Sequence, residues 1–136
     1  MALQATLNIN DTCYNVQDLD YRLFQATDSV GKPTAMPEGG IVNFTILANN
    51  KDNCFFHHWM LSISQVESGS FTLPITDGID HDLMILEFKD AYCTDLQVWY
   101  GSFNEKQLYM KLSITPTKLI FADGVEFINK KIEKTS

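Results

Sequence analysis

Between Leu19 and Leu47 two segments of alternating polarity flank a polar stretch that cannot pack, and few folds accommodate that arrangement. Leu19, Tyr21 and Leu23 alternate with Asp20 and Arg22, and Val42, Phe44 and Ile46 alternate with Asn43 and Thr45. A period of two sends successive side chains to opposite faces, so both segments read as strands buried on one side. The stretch between them, residues 28–40, carries Asp28, Gly31, Lys32, Pro33, Met36, Pro37, Gly39 and Gly40. Prolines without a backbone donor and glycines with high conformational entropy predict one long extended loop with no regular element. A loop of that length in a compact domain usually has a task, as a lid, a binding loop or an arm laid on another molecule.

The alternation continues in both directions. Leu3, Ala5, Leu7 and Ile9 lead through Asn10-Asp11 into Tyr14 and Val16, an opening hairpin. Tyr14 and Val16 stand in even phase and Leu19, Tyr21 and Leu23 in odd phase, so a β-bulge is expected near Gln17-Asp18. After Leu47 the period changes. Phe55, Phe56, Trp59, Met60 and Ile63 share one helical face, predicting an amphipathic helix over about residues 51–63, capped by Asn49 or Asn50.

Phe71, Leu73 and Ile75 form a short strand whose Pro74 cannot donate to a ladder on its own side and belongs at an edge or at an irregular point of the sheet. Met84, Leu86, Phe88, Tyr92, Leu96 and Val98 keep one phase through Tyr100, which predicts a single long, bent strand with polar Asp90 unexplained among buried positions. Leu108, Met110, Leu112 and Ile114 make a further strand that Pro116 is expected to end. A last hairpin follows around Ala122-Asp123-Gly124, with a frayed tail from Lys130. The expectation is a mainly β, single-domain chain over residues 1–136. It would be a small closed β-barrel of seven or eight antiparallel strands with one helix and a long extended loop, since closure leaves few strand edges exposed.

Charge and motif spacing narrow the function. Ten Lys and Arg against 17 Asp and Glu give a net charge of −7, which argues against nucleic acid or an anionic membrane as partner. The N-terminus shows neither signal-peptide regions nor a membrane span, so the chain is expected to be cytoplasmic at first. Cys13, Cys54 and Cys93 are odd in number without CxxC spacing and read as core hydrophobes. Cys54 and His58 have the i, i+4 spacing of two ligands, with His57 beside them, yet no third and fourth ligand follow at recognised spacing. Asp77-Gly78-Ile79-Asp80-His81-Asp82 gathers carboxylates around a histidine, but it lacks the order of a calcium loop and reads as a polar hairpin. With no nucleophile elbow, phosphate loop or paired catalytic motif, no enzyme activity, cofactor or metal is expected.

The order of these pieces resembles a known family. Tyr21-Arg22-Leu23-Phe24, Asp28, Gly31-Lys32-Pro33 and Gly39-Gly40-Ile41 are similar to the tube protein of type VI secretion systems in its Bacteroidetes form, the TssD branch of the Hcp family. Leu86-Glu87-Phe88-Lys89-Asp90-Ala91-Tyr92-Cys93 and Met110-Lys111-Leu112-Ser113-Ile114-Thr115-Pro116 extend the likeness over nearly the whole chain. The resemblance implies hexameric rings stacking into an inner tube that carries effectors, with a contractile sheath and a spike as partners and export without a signal peptide. It also implies that the extended loop meets neighbouring subunits. Read from the residues alone, a ligand-binding β-barrel module and a minor hydrolase using residues 77–82 stay open as alternatives.

Overall fold

The computed structural model describes residues 4–34, 38–48, 54–77, 80–101, 107–121 and 124–129. Among these described residues alternation yields seven antiparallel strands, β1 (Thr6–Ile9), β2 (Thr12–Phe24), β3 (Glu38–Leu47), β4 (Glu67–Asp77), β5 (Asp80–Gly101), β6 (Gln107–Ile120) and β7 (Glu126–Ile128), with one helix, α1 (Phe55–Leu61), between β3 and β4. Neighbours run β3-β2-β1-β4-β5-β6, and a further ladder of Val42–Leu47 against Tyr109–Ile114 joins β3 to β6. Six strands therefore close into a barrel. The seventh lies outside the closure, pairing with β6 alone beyond the stretch that β3 occupies.

The barrel is filled by its own side chains. Leu7, Val42, Phe44, Ile46, Phe71, Leu86, Phe88, Leu112 and Ile114 have no exposed surface. Phe44 and Phe71 meet edge to face at 5.0 Å although β3 and β4 stand three places apart round the ring, so this contact spans the interior. Such pairs add roughly 0.5–1.5 kcal/mol beyond area burial. Helix α1 closes one end. Phe56 packs on Tyr14 of β2 at 5.1 Å, and the Trp59 Nε1–H donates to the Ala91 carbonyl of β5 at 3.1 Å; β2 and β5 are also opposite in the ring, so a helix reaching both must cross its mouth.

Several expectations are corrected. Strand β3 starts at Glu38, so Gly39 and Gly40 belong to a strand and not to the loop. Both have positive φ (102° and 82°), which glycine adopts without the steric cost of a Cβ; a Cβ on Gly40 would stand 2.5 Å from the Phe127 ring. The helix is shorter than expected, because Ser62 is extended and leaves Ile63 outside it and 97% exposed. Its proposed caps Asn49 and Asn50 lie outside the described residues, and Cys54 precedes the helix in left-handed backbone. Strand β6 runs through Pro116, which falls between Ile114, the last partner of β3, and Lys118, the first of β7. Leu108 turns its carbonyl to β3, accepting from the Ala48 N–H, and by alternation Pro116 lacks its donor on the side where that gap lies.

Asp90 is exposed, not buried. It takes φ 49° and shifts the buried phase of β5 from Leu86 and Phe88 to Ala91 and Cys93, while its N–H donates to Ser68 Oγ and its carbonyl accepts from Thr117 Oγ1, each at 3.0 Å. The opening hairpin with Asn10 and Asp11 at φ 53° and 58°, and the bulge between Val16 and Asp18, stand as read from sequence. Pro74 stands beyond the last residue of β4 that pairs with β1, on an edge as expected.

Two substitutions test this packing. Trp59→Ala should lower unfolding free energy by about 3–5 kcal/mol in a urea titration, since it empties a wholly buried site and orphans the Ala91 carbonyl. Gly40→Ala should cost about 1–3 kcal/mol, read in the same way, because a Cβ meets both the positive φ and the Phe127 ring.

Candidate functional site: an exposed arm on a filled barrel

Strands β2 and β3 outrun the barrel. Every residue from Arg22 to Thr34 is exposed, so the connection between these strands projects as an arm. The arm is not structureless. Asp28 Oδ1 accepts the N–H groups of Val30 and Lys32, both at 2.9 Å, while the Asp28 N–H donates to the Lys32 carbonyl and Gly31 N–H to the Asp28 carbonyl. Thr27 bridges Pro33, and the Thr34 N–H donates to the Ala26 carbonyl at 2.8 Å. Asp28 thus folds the tip into a side-chain-capped turn, with Gly31 supplying the positive φ of 91° that the turn requires. Val30 stands at the apex, 77% exposed.

The predicted loop residues separate into two groups. Asp28, Gly31, Lys32 and Pro33 come together in the tip, whereas Gly39 and Gly40 sit in β3 at the root of the arm, before the stretch that pairs with β6. Met36 and Pro37 lie outside the described residues. At the root of the arm the Arg22 guanidinium lies over the Phe24 ring at 5.1 Å, and Leu23 and Phe24 expose large apolar surfaces. Beside them, on the outer face of β2, β3, β6 and β5, is an open groove of about 500 Å³ that includes Asp20, Arg22, Thr94 and Asp95. A polar relay crosses it: the Asn43 amide donates to Asp20 Oδ1 at 2.9 Å and Ser113 Oγ–H to Asn43 Oδ1 at 2.6 Å. The sequence alone does not reveal this relay, because its members are the outward residues of three strands whose neighbours only topology brings together.

The other clusters offer less. Cys54 is exposed, contrary to the core role read for it; His58 is exposed, and His57 is half-buried with its Nδ1 shielded and unpartnered. Among the described residues no three His, Cys, Asp or Glu side chains stand together as metal ligands. Asp77 pairs with Asp80 across the β4–β5 hairpin, so Asp80, His81 and Asp82 belong to a strand rather than to a loop; Gly78 and Ile79 lie outside the described residues.

Cys13 is exposed too, and Cys93 alone of the three is buried. Burial pushes the Cys93 thiol up to about 11 from the ordinary 9.0, with a hydrogen bond to the Asp95 backbone pulling it back and the Asp95 carboxylate adding a smaller push upward. Because the folded state disfavours the thiolate, the stability this group contributes is complete below pH 9 and is lost as pH rises through about 11.

With fold and arm described, likeness to known proteins becomes informative. A family model described as hemolysin coregulated protein Hcp (TssD) matches residues 1–130. The chain belongs to the Hcp (TssD) family. It is accordingly a tube subunit of a type VI secretion system. The solved structure of Hcp1 from Flavobacterium johnsoniae is similar at 24% identity and TM-score 0.77, covering 93% of this chain and 100% of that one. Hcp1 from Salmonella typhimurium (9% identity, TM-score 0.65, 96% and 97% covered) and the secreted protein Hcp3 from Pseudomonas aeruginosa (9%, 0.62, 93% and 96%) share the fold. No curated protein matches the chain.

A thiol-labelling experiment checks the burial pattern on which the arm's contrast with the barrel rests. Iodoacetamide at pH 8 should modify Cys13 and Cys54 rapidly and Cys93 at least tenfold more slowly until denaturant is added, as read by peptide mass spectrometry.

Proposed function

We propose that this Hcp-family subunit acts as one structural, non-enzymatic domain that assembles into hexameric rings, and that its arm makes the contact by which rings stack into a tube. The observation that carries the reading is the arm itself. A preorganised turn presents apolar Val30 to solvent at the end of a projecting arm, where docking on another molecule would remove that surface from water. The Asp28 turn lowers the ordering cost of docking, since Val30, Gly31 and Lys32 are held before contact. A repeated contact between unlike surfaces closes into rings or extends as an open stack, according to its geometry.

In this reading Asp28, Gly31, Lys32, Pro33, Met36 and Pro37 make the contact, and Gly39 and Gly40 fix the root of the arm. The subunit is made in the cytoplasm and leaves through the apparatus, with a contractile sheath, a spike and effector proteins as partners and no nucleic acid or membrane. The filled interior, with Phe44 against Phe71 across it, disfavours a ligand held inside the barrel.

Replacement of residues 30–37 by a short glycine-containing turn tests the arm. The melting temperature should change by no more than a few degrees, because every described residue removed is exposed and closing a shorter loop costs no more entropy. Ring mass by sedimentation should be retained, and stacked particles in negative-stain images should disappear. Unaltered stacking would remove the arm from the assembly.

A further inference from the structure

The strand directions give the barrel two unlike ends. β3 leaves the arm at Glu38 and finishes at Leu47, a run of 10 residues spanning about 33 Å at ~3.3 Å each. Its far end leads to α1, and α1 leads into Glu67 at the start of β4. Glu67 pairs with Ala91 and Gly69 with Ile9, next to the Asn10-Asp11 turn, so these elements gather at the end opposite the arm. At that end Leu61 is 83% exposed, Ile63 is 97% exposed and Val66 is partly exposed, in a short segment that also carries Glu67. Three large aliphatics left exposed within one six-residue segment point to a contact surface.

We propose that this ledge, Leu61, Ile63 and Val66 with Glu67, receives the arm tip of a second copy, Val30 against the aliphatics and Lys32 beside the Glu67 carboxylate. The inference rests on the stacking reading above and adds to it the surface that the arm meets. Three observations support the match. The surfaces lie at opposite ends of the subunit, so one copy's arm reaches the next copy's ledge in a head-to-tail stack with the same polarity at every step. Each surface pairs an apolar element with a charge: Val30 with Lys32 on the tip, the aliphatics with Glu67 on the ledge. On the tip the Asp28 carboxylate is engaged within the turn by the N–H groups of Val30 and Lys32, while the Lys32 side chain is exposed to a partner.

The test uses the full chain carrying Cys13→Ser and Cys54→Ser, so that buried Cys93 is the remaining native thiol. Val30→Cys protein mixed with Ile63→Cys protein and oxidised should give at least tenfold more disulfide-linked dimer than either protein oxidised alone. Equal yields overturn the proposal. Adding Lys32→Glu to the first protein, or Glu67→Lys to the second, should reduce the cross-link several-fold, and adding both should restore it; failure to restore overturns the assigned register. The arm replacement separates the two readings. If it abolishes stacking while Val30→Cys and Ile63→Cys do not cross-link, the arm keeps its role and the ledge is excluded. If stacking survives the replacement, the arm reading falls as well.

Discussion

The ladder between β3 and β6 is the interaction on which the rest of the structure depends. Without the pairing of Val42–Leu47 with Tyr109–Ile114, the other strands would form an open sheet with two long edges and one apolar face in water. Closure turns that face inward and brings Phe44 onto Phe71 across the interior, so strand pairing and core packing are won together. It also fixes where unused surface can be. With the inside filled by the chain's own rings, any recognition must take place on the outer faces and at the two ends.

Local features were legible in the sequence wherever one short-range rule decided them. The phase slip between Val16 and Leu19 can be met only by an irregularity, and the register shift lies between Val16 and Asp18. Asn10-Asp11 tolerates positive φ and forms the turn. Misreadings arose where a distant partner decided the outcome. Gly39 and Gly40 look like loop residues, but both lie in β3, where a Cβ on Gly39 would meet the Arg22 backbone across the ladder and one on Gly40 would meet the ring of Phe127, far along the chain. Asp90 looks like a buried anomaly in an even-phase run until Ser68 and Thr117 hold its backbone in the left-handed region and move the phase to Ala91 and Cys93.

The arm illustrates the same division. Its existence follows from Pro33, Pro37 and the glycines, and its length fits the reaching role proposed for it, but its internal order is not legible in the sequence. That order comes from one aspartate whose carboxylate replaces the ladder hydrogen bonds a strand would have supplied. Ile63 is the mirror case. The helical period assigns it to the buried face, and Ser62, by turning extended, releases it into solvent at the end of the barrel away from the arm. The two positions least explained by the fold of one copy, Val30 and Ile63, are therefore among the most exposed apolar residues and stand at opposite ends.

Electrostatics constrains what can hold such copies together. Each chain carries a net charge of −7, so bringing many into register accumulates repulsion that acts over roughly 8–10 Å at moderate ionic strength. A single exposed pair such as Lys32 with Glu67 contributes only about 0.2–1 kcal/mol, too little to offset that field. Apolar burial must therefore dominate the contact energy, at about 25 cal/mol for each Å² removed from water, with the charged pair fixing register instead. Salt should then act mainly by screening the repulsion between whole subunits. Raising ionic strength from ~10 to ~150 mM shortens the reach of that repulsion about threefold to fourfold while leaving the apolar contact intact, so assembly should strengthen over that range. An assembly that weakened with salt would place attraction between charges, rather than burial of Val30 and its aliphatic neighbours, at the centre of the contact.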